Sequence, residues 1–286
     1  MDPNRVIMAM LTSVFDASGD KRTAVLAVAG FLSSESDWAS FSEQWSRRLD
    51  KDGIEFFRAV DAAAFQGPFE HWQDRSDCER LRQALFKDLM DILKSHVYHR
   101  FGCVVINRSF DKMSEELRKQ FRLCAYSLAG LTCERHFRSY VLQEWHGSRP
   151  DMPVRMVFEH GDEGFGNLCH WLGSAKGTIP VSRAYKKDTI QDGGLKIHGF
   201  IPLQAADWLA YELGLSIRHL ESGKLKKYSN LRWPMQEFTH ILGDAGTYYA
   251  NEVREVERKL KVVKNIPNWE KETDMTKLSG QFQNDL

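Results

Sequence analysis

VIMAMLTSVFDASGD, residues 6–20, is apolar at odd and even positions alike as far as Phe15 and then turns polar. That is the pattern of a strand buried on both faces and closed by a turn. Asp16 therefore stands where a central strand leaves the core. A short polar turn leads to a second apolar run, AVLAVAGF at Ala24–Phe31, and the two are expected to pair as an antiparallel hairpin.

Beyond the hairpin the period changes. Trp38, Phe41, Trp45 and Leu49 recur at helical spacing, with Ser36 as the expected N-cap, and Leu81, Leu85, Leu89 and Leu93 mark a second helix. Between them lies IEFFRAVDAAAFQGPFEHW, aromatic and irregular, so residues 32–96 read as a helical insertion. VYHRFGCVVI, residues 97–106, is expected as a third strand. A long helix follows over Asp111–Glu144, with Leu117, Phe121, Cys124, Leu128 and Leu131 on one face and Pro150 and Pro153 beyond its end.

VRMVFE at Val154–Glu159 reads as a fourth strand running into GDEGFGN, with a short helix around Leu168–Leu172. IPVSRAY reads as a fifth strand, and a helix is expected from Leu203 to about His219. Apart from the insertion, this order resembles that of the RNase H-like fold: an α/β protein with a mixed five-stranded sheet flanked by helices. The expected organisation is one domain over residues 1–262, including a C-terminal helical extension over 221–262, and then a polar tail over 263–286.

Composition sets outer bounds. The 286 residues are 42% hydrophobic and 27% charged, as in an ordinary packed protein. Lys plus Arg and Asp plus Glu both total 39, so a nucleic-acid partner would have to be met by a local basic stripe. Five cysteines without a C-x-x-C pair argue against a disulfide framework or a structural zinc, and suit reduced thiols in a cytoplasm. No run is long and apolar enough for a membrane span, and no export signal is visible.

Three acids occupy corresponding places on this framework. Asp16 ends the first strand, Glu159 ends the fourth, and Asp207 lies in the first turns of the last helix, enclosed by LQAADWLA, where a charge is expensive unless partnered. In an RNase H-like sheet the first and fourth strands are neighbours and the last helix packs beside them. Convergent carboxylates of this kind hold Mg²⁺ or Mn²⁺ for phosphodiester hydrolysis. Each acid alone also has a structural reading, as a turn residue, a solvated strand end or a helix-start charge.

FDASGD with AVLAVAGF, the SDWASFSEQWSRRL helix, GPFEHW, FEHGDEG and IPLQAADWLAYELG together resemble the bacterial family known as domain of unknown function 3800, over about residues 6–220. The family's usual motifs are D-E-S-G and L-Q-x-A-D. The resemblance thus implies Asp16 and Asp207 as signature acids, with Gln204 beside the latter. Ala17 stands where the family usually has Glu. Strand neighbours point to opposite faces, so this departure need not remove an Asp16 ligand.

Other residues carry weaker readings. Asp162 or Glu163 could replace Glu159 if the fourth strand ends later, and Glu134 could add a fourth carboxylate, though a salt-bridged helix residue is the simpler view. His198 could act as a general base. Arg183, Lys186 and Lys187, and Lys224, Lys226 and Lys227, form two basic clusters that could neutralise nucleic-acid phosphates. Trp72, Trp208 and Tyr211 could stack bases or simply pack. The leading expectation is a metal-dependent nuclease or related phosphodiester-cleaving hydrolase. Its alternatives are a catalytically inactive nucleic-acid-binding or protein-binding module of the same fold, and a small-molecule phosphate hydrolase.

Overall fold

A computed structural model describes residues 10–141, 143, 154–173, 181–190, 196–225 and 230–264. Along the chain the elements are β1 (Leu11–Ser18), β2 (Val25–Ser34), α1 (Glu35–Asp50), α2 (Ala59–Ala64), α3 (Glu70–Gln73), α4 (Cys78–His96), β3 (His99–Ile106), α5 (Asn107–Phe110), α6 (Glu115–Gln120) and α7 (Ala125–Tyr140). There follow β4 (Val154–Glu159), α8 (Phe165–Gly173), β5 (Val181–Ala184), β6 (Thr189–Ile190), β7 (Lys196–Ile197), α9 (Pro202–Glu221), α10 (Trp233–Thr239), β8 (Gly243–Tyr248) and α11 (Ala250–Lys264).

The fold is α/β, with a mixed six-stranded sheet in the order β5-β4-β1-β2-β3-β8. β1 and β2 form the expected antiparallel hairpin, with Asp16 opposite Ala29. Their turn is held by Asp20, whose carboxylate accepts from the amides of Arg22 and Thr23. Gly19 enters it at φ 89°, a conformation that favours glycine. β4 lies parallel to β1, and β5 parallel to β4, so the fourth strand does neighbour the first.

Parity along the strands divides the core in two. Val14, Ala27, Ala29 and Phe31 face α9 and the helices of the insertion, whereas Phe15, Leu26, Val28 and Phe101 face α7 and α8. The insertion is no appendage. Trp38, Phe41, Trp45, Phe57 and Leu89 share one buried cluster with Leu203, Ala206 and Trp208 of α9.

Four expectations need correction. The sheet has a sixth strand, β8, which pairs parallel with β3, so the 221–262 extension is not wholly helical. GDAGTY lacks apolar alternation because it is an edge strand with mostly half-exposed side chains. The long helix is broken into α6 and α7: Arg122 takes a left-handed φ of 45°, and Cys124 with Ser127 builds a capping box that starts α7 afresh. Ser34, not Ser36, caps α1, its hydroxyl accepting from the Asp37 amide, because β2 continues to Ser34. Helices of the insertion therefore begin at Glu35 rather than at residue 32. Residues 265–286 of the tail lie outside the described residues.

Candidate functional site

Asp16, Glu159 and Asp207 are brought together on the α9 face of the sheet. The alternation that turns Val14 and Val157 toward α9 turns Asp16 and Glu159 the same way, two residues on. Ala17 packs on the opposite, α7-facing side. Asp207 comes from the second turn of α9, which crosses β1 and β2.

Lys186, in the segment between β5 and β6, ties the three acids together. Its Nζ lies 2.6 Å from Asp16 Oδ2, 2.8 Å from Asp207 Oδ1 and 3.1 Å from Glu159 Oε2. Asp16 is fully buried, whereas Glu159 keeps a fifth of its side chain open to solvent. Burial pushes the Asp16 carboxyl well above its ordinary value; Lys186 opposes the rise, and Asp207 and Glu159 add to it. Burial works against the Lys186 ammonium, yet the three acids hold its pKa above the ordinary value.

Backbone amides complete the setting. Asp16 Oδ1 accepts from the Ala17 amide at 2.7 Å, and Asp207 Oδ2 accepts from the Ala59 amide of the insertion, also at 2.7 Å. Gln204 is fully engaged. Its Oε1 accepts from Trp45 Nε1 (3.0 Å) and the Phe57 amide (2.8 Å), while its Nε2 donates to the Lys186 carbonyl at 2.9 Å. Gln204 thus binds the insertion and the Lys186 segment to α9 rather than offering a free ligand atom.

Asp162 joins the group. Oxygens of Asp16, Glu159 and Asp162 all lie within 4.8 Å of one another, and Asp162 Oδ2 is buried without a hydrogen-bond partner. Burial, then the Glu159 charge, push the Asp162 carboxyl up to about 6. Around a Mg²⁺ at ~2.1 Å, adjacent oxygens stand roughly 3 Å apart and opposite ones roughly 4.2 Å, so these side chains would draw together by up to about 1–2 Å to close on one ion. Hard carboxylate oxygens and an orphaned buried oxygen fit Mg²⁺ or Mn²⁺. Charge fits as well: the four carboxyls outnumber the single Lys186 ammonium that pairs with them, so the cluster has room for a divalent cation.

The remaining expected residues fall elsewhere. Glu163 pairs with Lys21 at 2.7 Å in solvent, and Glu134 pairs with Arg138 along α7, on the other face of the sheet. His198 is exposed and lies 3.5 Å from Asp188, so nothing presents it to the acids as a base. Arg183 covers the Phe165 ring and Lys187 the Phe56 ring, both remaining exposed, while Lys186 is turned inward to the acids. Lys224 is exposed; Lys226 and Lys227 lie outside the described residues. Trp72 and Trp208 are buried core residues and Tyr211 is half-buried.

Sequence reasoning took Lys186 as one of a basic cluster available to phosphates, not as the counter-charge of the acids themselves. Charge balance was the available signal, since converging buried acids demand a cation. Among the described residues no helix is long and apolar enough to cross a membrane. No family model, curated protein or solved structure matches the chain.

Proposed function

We propose that the protein is a divalent-metal-dependent phosphodiester-cleaving hydrolase, a nuclease of RNase H-like fold; its resemblance to domain of unknown function 3800 implies that fold and the site acids rather than the reaction. One observation carries this reading: four carboxyls from β1, β4, the loop after β4 and α9 converge with Lys186 as their one close cation among the described residues. Asp16, Glu159 and Asp162 would hold Mg²⁺ or Mn²⁺, with Asp207 across Lys186 from them. A metal bound there supplies an activated water and neutralises charge on the leaving oxygen.

The chain's own residues supply the positioning. Lys186 draws the Asp16 and Asp207 carboxylates side by side against their mutual repulsion. The Ala59 amide and Gln204 fix Asp207 and the Lys186 backbone from opposite sides, so these groups need little reorganisation when a phosphate arrives. Glu159, with a fifth of its side chain exposed, forms the more open side, where a substrate phosphate would approach.

A second reading has its own support. Lys186 already sits among three acids, and Ala17 replaces the family glutamate, as in a module that keeps the architecture and binds without cutting. The test is cleavage of labelled single-stranded, double-stranded and hybrid nucleic acids with Mn²⁺, Mg²⁺ or chelator. Metal-dependent cutting by the wild type is expected, abolished in Asp16→Asn and in Asp207→Asn with the fold intact. Unchanged cutting in either variant removes that residue from the mechanism. Metal-independent binding by folded wild type, with no cutting under any divalent ion, favours the binding module.

A further inference from the structure

The face of α9 that carries Asp207 continues past the acids. Asp207, Tyr211, Leu215, Arg218 and Ser222 recur at three- and four-residue spacing and so share one side of the helix. Exposure grows along it: Tyr211, Leu215 and Arg218 are half-buried and Ser222 is exposed. At its far end lies a cleft of about 470 Å³ at the ends of β2, β3 and α9. Its basic lining is Arg108, Arg218, His219 and Lys224. Glu221 is paired with Arg108, whereas no carboxylate pairs with Arg218 or Lys224 among the described residues. The cleft therefore keeps two uncompensated cations.

Gly214 links cleft and acids. A Cβ built on it would lie 3.7 Å from the Arg218 guanidinium and 3.8 Å from Ser18 Oγ. Arg218 thus reaches back along α9 toward the strand end that bears Asp16, two residues before Ser18 and on the same side of β1. From Asp207 to Arg218 the helix advances about 16 Å at ~1.5 Å per residue. Because the guanidinium turns back over Gly214 toward Ser18, a strand has less than this advance to span, a few nucleotides.

We propose that this cleft binds the phosphodiester backbone of a nucleic-acid strand a few nucleotides from the carboxylates, with Arg218 and Lys224 as its phosphate contacts. The inference rests on the reading of the acid site as phosphodiester-cleaving and adds that the substrate is a polymer, because a single phosphate at the acids leaves Arg218 and Lys224 unanswered.

Fluorescence anisotropy of labelled single strands of two and about fifteen nucleotides, in EDTA over a salt series, tests it. The wild type should bind the longer strand at least tenfold more tightly. Arg218→Gln with Lys224→Gln should weaken that binding tenfold or more and lower the log–log salt slope by about 1.4, at ~0.7 per single-strand phosphate contact. Arg218→Lys with Lys224→Arg should restore the slope. Equal affinity for the two lengths, an unchanged slope in the Gln variant, or no binding of either strand by the wild type overturns the proposal. The same strands with Mn²⁺ separate the two readings: length-dependent binding without cutting sinks the hydrolase and leaves the cleft. Equal cutting of both lengths, undiminished in the Gln variant, does the reverse.

Discussion

Phe15 and Asp16 are neighbours in one central strand and both are fully buried, but they enter different worlds. Phe15 stacks on Phe158 at 5.0 Å within a face of aromatic and aliphatic side chains and buried thiols under α7 and α8. Asp16 faces α9, where the buried set includes Asp207, Gln204 and Glu212 beside the near-buried Lys186. An apolar face is held by packing and is indifferent to ions. A face that buries charge is held by how completely each charge is answered, so its stability becomes sensitive to cations and to pH.

The sharpest way to break this contrast is to remove one member from each face. Lys186→Met leaves Asp16, Glu159 and Asp207 without their ammonium and should cost ~3–5 kcal/mol in chelator. Phe137→Ala, which deletes a buried ring packed edge-on against Phe101, should cost a similar ~3–5 kcal/mol. Urea unfolding with and without Mn²⁺ tells them apart. The ion should recover much of the Lys186→Met loss and little of the Phe137→Ala loss. Equal responses would erase the distinction between the faces.

Gln204→Met strands the Trp45 indole N–H, the Phe57 amide and the Lys186 carbonyl together. A loss of at least ~3 kcal/mol is expected in urea melts, with reduced metal-dependent cutting, since each unpaired buried group costs ~1–3 kcal/mol. A neutral outcome would mean that the insertion docks by apolar packing alone.

The smallest effect concerns Glu212, farther along α9. It lies 3.2 Å from Arg232, and its Oε2 has no hydrogen-bond partner. Burial pushes its carboxyl from 4.5 up to about 7 against the pull of Arg232. Between those values the unfolded chain has released the proton that the native state retains, so stability falls as pH rises through the window and levels off above it. Relative to Glu212→Gln, the wild type should lose about 2–3 kcal/mol from pH 4.5 to 7 in chelator. Parallel stability profiles for the two proteins would show that Glu212 is solvated in the native state.

Legibility followed from what each feature owed to local pattern. The hairpin, β4 and α9 were readable because unbroken apolar runs or a helical period specify them, and the three acids followed because each closes or opens one of those elements. β8 was not readable, because an edge strand needs no apolar alternation. Nor was the break at Arg122, since a non-glycine residue in the left-handed region leaves no mark on the sequence. Asp162 was legible only as a substitute for Glu159, whereas the structure sets it beside that residue. The amides of Phe57 and Ala59 lay beyond any residue-type reasoning, because every residue but proline has one.

The side chain of Gln204 joins stretches of chain around Trp45, Phe57 and Lys186 that lie far apart along the polypeptide. Contacts of such long range form late in folding, after the entropy of closing large loops has been met. A nascent chain therefore cannot bring its acids together before the α9 segment that carries Gln204 and Asp207 has been made. If the acid cluster cuts nucleic acid, a half-made copy carries no finished blade.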